Sequence, residues 1–291
     1  MGAISPVGVT RESTWKGLIA GESGVNRITS FDFTNMPGLE STIAGEVTNF
    51  DAAEHFGRKE SRRMDRFVQL AAAAAIEAAG HAKVSPNTIN PEGISVIIGT
   101  CLGGILTLSE QLGVMHDRGA SRVSPFLIPM MLPDMASGQV SILLGAKGPN
   151  YGITSACSSG SDALGSAFRL VQDGRIDLAF AGGSEAPVCP VGVAGFNSCK
   201  ALSTTNENPQ KASRPFDAGR DGFVLSEGAG MLVLESEKSA VERGVEPIAE
   251  IIGYGATADA YHVTQPGPNG EGSARAMRIA LHDAGISPDE I

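Results

Sequence analysis

Gly148-Pro149-Asn150-Tyr151-Gly152-Ile153-Thr154-Ser155-Ala156-Cys157-Ser158-Ser159-Gly160 passes from a breaker pair, through a short strand, to a cysteine at the start of a helix. Leu164, Ala167, Phe168 and Val171 follow at helical spacing and mark one apolar face. A helix start presents unpaired N–H groups and partial positive charge, which favours a thiolate by roughly 0.3–1 kcal/mol. That activates a nucleophile only in part, so efficient acyl chemistry needs a base or an oxyanion partner as well. The plainer reading of Cys157 is a small buried hydrophobe. Flanking Ser and Gly, poor core-fillers, favour the functional one.

Outward from this elbow, strand and helix patterns alternate, which predicts an α/β fold. Helices are expected at 11–21, 60–81, 104–118, near 190–200, around 236–243 and at 272–284, with one more beginning only after Pro133. Strands are expected at 93–99, 177–182, 229–235 and 248–254, and Asn87 to Gly93 reads as a turn. Residues from about 22 to 50, 203–228 and 255–270 read as loops.

The chain has 291 residues, 42% hydrophobic and 19% charged, which places it among globular proteins with large cores. Its four cysteines form no CxxC pair, which fits a reduced, cytoplasmic compartment. Apolar stretches are too short or too broken by Gly and Pro to span a bilayer, and no secretory signal is visible. Pro6 occupies the position where myristoylation requires Ser or Thr. A net charge of −10 argues against nucleic acid. Against that background, Arg58 to Arg66 carries five basic residues and two acidic ones. On one helix these would stack as a solvated face or as a docking patch for an acidic partner.

Thr154 to Gly160 resembles the active-site signature of the β-ketoacyl-acyl-carrier-protein synthases, most closely the type II elongating condensing enzymes of fatty-acid synthesis. Gly2 to Gly8 resembles their opening loop, and so do further segments in the family's order: Arg63 to Phe67, Ser124 to Phe126, Gly182 to Glu185, Ala201 to Ser203, Arg214 to Val224 and Asp259 to Thr264. The resemblance implies a thiolase-like, layered αβαβα fold built from two related halves, the second incomplete here: 1–247 and 248–291. It implies an acyltransferase needing neither cofactor nor metal and partnered by acyl carrier protein, with the full-length protein a homodimer. The acyl group would move to Cys157 and then undergo decarboxylative Claisen condensation with malonyl-carrier protein. By position, Leu102, Phe196, His262 and Thr264 would line the acyl and pantetheine channel, and Lys59, Arg62, Arg63, Arg122 and Lys200 would dock the carrier protein.

The sequence departs from the family in lacking its two later histidine segments, Asn-Ala-His-Gly-Thr and Gly-His-x-x-Gly-Ala, and a late Gly-Phe-Gly-type oxyanion loop. The expectation is therefore a fragment clipped at both ends, its first strand lost ahead of the Gly2 loop, and unable alone to complete condensation. His262 is expected in the channel wall rather than as a base, and Asp217, Arg220 and Asp221 as a structural cluster. Ser226 should cause only a local backbone adjustment, and Cys101 and Cys199 are expected to be structural. Gly182 to Ala186 lacks the last glycine of a serine-hydrolase elbow. A polyketide-type ketosynthase stays open. A non-catalytic chain-length-determining subunit is disfavoured by Cys157, and a cysteine hydrolase by the want of a neighbouring histidine.

Overall fold

A computed structural model describes residues 1–85 and 89–291. Five strands form the main sheet, in the order β1-β7-β6-β4-β5: β1 (Gly2–Ile4), β4 (Ile94–Gly99), β5 (Asn150–Ile153), β6 (Leu178–Glu185) and β7 (Gly228–Glu235). β4 runs parallel to both β5 and β6, whereas β7 is antiparallel to β6 and β1. A separate two-stranded ladder pairs β2 (Val25–Arg27) with β3 (Ile43–Gly45). The helices are α1 (Arg11–Ile19), α2 (Ala52–Phe56), α3 (Arg58–Ser61), α4 (Arg66–His81), α5 (Ile105–Arg118) and α6 (Leu127–Met131), then α7 (Met135–Leu144), α8 (Ser159–Gln172), α9 (Pro190–Ser198), α10 (Glu237–Glu242) and α11 (Glu271–Ala284).

The period-2 alternation of the central strands decides what each face holds. Val96, Ile98, Leu178 and Phe180 join Phe67 and Leu70 of α4 in one core. Ile97, Ala179 and Ala181 face the other way, against Ala163 and Ala167 of α8. Each fully buried Leu, Ile or Phe is worth about 1.5–3 kcal/mol, and small residues on the second face let α8 approach closely. Beyond α8 lies a further layer. A Cβ on Gly165 would stand 2.3 Å from the Tyr254 ring, and one on Gly255 would stand 2.2 Å from the Ala276 carbonyl oxygen. The Tyr254 segment therefore lies between α8 and α11, the place of the second sheet in the αβαβα arrangement.

Several expectations need correction. The helix expected over 60–81 is two helices, because Asp65 caps α4 by accepting from the Phe67 N–H (3.2 Å) and also holds the Thr107 N–H (2.9 Å). Arg58, Arg62 and Arg66 therefore do not share one helical face. Arg66 turns inward to Glu227 (2.9 Å) and the Val47 carbonyl (2.6 Å). A helix precedes Pro133: α6 carries Pro129 in its first turn, where the missing N–H costs no intrahelical bond. Gly2–Ile4, read as part of a loop, pairs with β7 as a strand, and β2–β3 occupies a stretch expected to be irregular. Residues 248–254 form no strand, since no described strand lies beside them to complete a ladder. Of the turn expected at 87–93, Asn87 and Thr88 lie outside the described residues, and Pro91–Gly93 is a single 3-10 turn.

Candidate active site

The end of β5 leads directly into the elbow. Ser155 is extended in φ (−136°), Ala156 is left-handed (φ 53°), and Ala156–Ser158 make one 3-10 turn that runs into α8. A non-glycine residue at positive φ is uncommon and persists only where its surroundings hold it. Here Ser159 does so: its Oγ accepts the Ser155 N–H (2.9 Å) and donates to the Ala156 carbonyl (2.7 Å). Ser155 Oγ donates in turn to the Asp162 carboxylate. Cys157 is left exposed, just ahead of the first turn of a 14-residue helix.

Glycines seat that helix start against the sheet. A Cβ on Gly99 would stand 2.1 Å from the Ser159 carbonyl oxygen, and one on Gly183 would stand 3.1 Å from Gly160 Cα. Cys157, Ser161 and Leu164 line an open cavity of about 450 Å³ together with Gly182 and Met231. Beside it, the 100–104 loop is tied down by Glu185, which accepts the N–H groups of Cys101 (2.6 Å) and Leu102 (3.2 Å) and the Thr100 hydroxyl (3.0 Å). Burial pushes the Glu185 carboxyl up despite those donors. The Cys101 thiol is pushed up first by burial, then by the charges of Glu185 and Cys157. Among the described residues no group of three His, Cys, Asp or Glu is placed to hold a metal ion.

Residues 1–240 match the family model "Beta-ketoacyl synthase, N-terminal domain", and residues 248–291 match the corresponding C-terminal domain. The chain belongs to the β-ketoacyl synthase family. It is 47% identical, over its whole length and 69% of the relative's, to 3-oxoacyl-acyl-carrier-protein synthase 2 of Synechocystis sp.. A crystal structure of a β-ketoacyl synthase from Burkholderia phymatum superposes with a TM-score of 0.90 at 33% identity, covering 100% of this chain and 70% of that one. A type II polyketide ketosynthase bound to its acyl-carrier protein and a hexaketide, AntDE:AntF, gives a TM-score of 0.87 at 32% identity, with 100% and 70% covered.

The residues expected at the site fall in three places. Leu102 lies on the Glu185-held loop next to Cys101. Phe196, on α9, packs in a separate core cluster with its ring edge-on to Phe223 (5.4 Å). His262 and Thr264 lie on an exposed loop, where His262 Nδ1 accepts the Thr264 and Gln265 N–H groups (both 3.1 Å). Lys59, Arg62 and Arg63 stay together on α3 and the turn after it, and the Arg63 guanidinium lies 5.0 Å above the Phe126 ring. Arg122 sits on a 3-10 turn packed against α5, and Lys200 is ion-paired with Glu40.

Asp221 accepts from Ser203 Oγ (2.7 Å), the Thr204 N–H (2.9 Å) and Arg214 (3.0 Å), which hold its carboxyl well below the usual range and make this a structural cluster. Ser226 bonds the Gly45 carbonyl (3.1 Å) at an isolated bridge between the two segments. Cys199 is exposed rather than buried, and Cys101 is half-buried beside Cys157. Sequence reasoning misses Glu185 and Asp162 as site residues. The only signal for either is an acidic residue at the end of an apolar strand or in the first turn of a helix.

Proposed function

We propose that this protein is a β-ketoacyl-acyl-carrier-protein synthase of fatty-acid elongation, with Cys157 as the acyl acceptor. The observation that carries this reading is the exposed thiol on a braced elbow at the start of α8, beside an open cavity. The Cys157 thiolate attacks the thioester carbonyl of an acyl-carrier protein; the tetrahedral intermediate collapses, and the carrier thiolate leaves and takes up a proton. In the full reaction, malonyl-carrier protein loses carbon dioxide, and the resulting carbanion attacks the Cys157 thioester and frees the thiol.

In this reading residues 1–247 form the half that carries the nucleophile and 248–291 the opening of the second half. Leu102, Phe196, His262 and Thr264 line the acyl and pantetheine channel. Lys59, Arg62, Arg63, Arg122 and Lys200 meet the acidic carrier protein, and the polyketide relative with its carrier protein supports that partnership. The protein works in the cytoplasm as a homodimer, and no described helix is long and apolar enough to cross a membrane. A polyketide-type role shares the fold, but the 47% identity to a 3-oxoacyl synthase favours fatty-acid elongation.

Acyl-carrier protein supplied in stoichiometric amount tests the assignment. One carrier thiol released per chain, with the acyl group retained on protein, is the expected result. Stoichiometric release of free fatty acid would instead support the hydrolase reading and overturn this one.

A further inference from the structure

The Asp162 carboxylate accepts from two hydroxyl groups, one on each oxygen. Ser155, two residues before Cys157, donates to one oxygen, and Tyr254 donates to the other. Tyr254 is itself fixed. Its ring lies over Gly165, where a Cβ would stand only 2.3 Å away, and its N–H donates to Asp283 (2.8 Å). Asp283 in turn pairs with Arg169 of α8 (2.8 Å). A continuous path therefore runs from α11, through Tyr254 and Asp162, to the residue that precedes the left-handed Ala156.

We propose that Asp162 is a positioning residue that sets the orientation of the Cys157 elbow and locks it to the Tyr254 segment. This inference rests on Cys157 being the acyl acceptor. Ser155 precedes a residue at φ 53°, a conformation that alanine does not favour and that its surroundings must hold. Ser159 fixes the turn from within, and Asp162 fixes it from without. Burial, and then the Asp162 carboxylate, push the Tyr254 hydroxyl up to about 12, in keeping with its bond to Asp162. A thiol tilted away from its line of attack loses rate rather than substrate affinity, because the acyl chain binds elsewhere in the channel.

The test is saturation kinetics of Cys157 with an acyl-chain electrophile, comparing kinact with KI in the 291-residue chain. Asp162→Ala is expected to lower kinact about tenfold with KI within about twofold. Asp162→Asn keeps one acceptor oxygen and a donor for the Tyr254 oxygen, and should restore most of that loss. Tyr254→Phe should act in the same direction as Asp162→Ala, and the double variant Asp162→Ala with Tyr254→Phe should be no slower than Asp162→Ala alone. Should Asp162→Ala fold poorly, Ser155→Ala severs the same contact from the other end and should lower kinact likewise. Selective labelling of Cys157 with kinact unchanged in Asp162→Ala, or in Ser155→Ala, overturns the positioning role and leaves the acyl acceptor intact. Labelling spread evenly over the four cysteines of the unaltered chain overturns both.

Discussion

Gly99 and Ser159 are in backbone contact: a Cβ on Gly99 would stand 2.1 Å from the Ser159 carbonyl oxygen. This contact sets the height of the α8 start above the sheet, and with it the position of Cys157. Gly99→Ala must push the helix start outward, because backbone cannot swing aside as a flexible side chain would. A loss of about 2–4 kcal/mol in unfolding free energy is expected, together with slower Cys157 alkylation in the folded fraction. Urea titration and alkylation kinetics check this, and a variant as stable and as reactive as the unaltered chain would deny Gly99 any part in placing the thiol.

Cys157→Ala should abolish acyl transfer and leave the fold in place. The side chain is exposed and outside every core cluster, so the change in stability should stay within about 0.5 kcal/mol. Carrier-thiol release and a thermal melt together decide it. Retained transfer would point to another acceptor.

Among the described residues no histidine is engaged at the thiol. His81 bonds the N-terminal amine (3.0 Å) and Arg11 (3.1 Å), His55 stacks on Phe50 (4.9 Å), and His262 closes its own loop. His116 and His282 stand in the last turns of α5 and α11. The 291-residue chain is therefore expected to accept an acyl group without decarboxylating malonyl-carrier protein. Labelled carbon dioxide measured after acyl loading checks this, and release at the rate of a working ketosynthase would contradict it.

Charge reversal at Lys59 and Arg62 should raise about tenfold the acyl-carrier protein concentration that half-saturates loading of Cys157, with the saturating loading rate nearly unchanged, an effect that added salt diminishes. Both residues sit on α3 or its capping turn, clear of the buried Arg66–Glu227 pair. A half-saturating concentration within twofold of the original would return the patch to an ordinary solvated surface.

Glu185 supplies a pH signature. Burial raises its folded-state pKa above the unfolded value, so its stabilising contribution is complete below the ordinary carboxylate range and is lost as pH rises through the raised value. The stability advantage of the unaltered chain over Glu185→Gln should therefore shrink as pH rises across that window. Urea midpoints at a series of pH values measure it, and an advantage that grew with pH would reverse the sign assigned here.

The elbow is legible in the sequence because its determinants are local: a breaker pair, a short strand, then Ser and Gly where a core would place larger residues. The break before α4 is not, because Ala71 to Ala75 and the arginine spacing carry a helical pattern straight across the Asp65 cap, whose second oxygen is held by a tertiary contact with Thr107. Glu185 and Cys101 are 84 residues apart and meet only because β4 and β6 are neighbours, which no spacing rule reveals. The 248–254 segment shows the converse. Its apolar pattern suits a buried strand, yet a strand requires a partner, and the pattern cannot say where one is.

Peptide mapping by mass spectrometry, after loading from an acyl thioester, is the sharpest check on Cys157 as the acyl acceptor. A single thioester-linked acyl group on the peptide bearing Cys157, removed by hydroxylamine, is the expected result. Acyl groups on Cys101, Cys189 or Cys199, or on a serine of the same peptide, would contradict it.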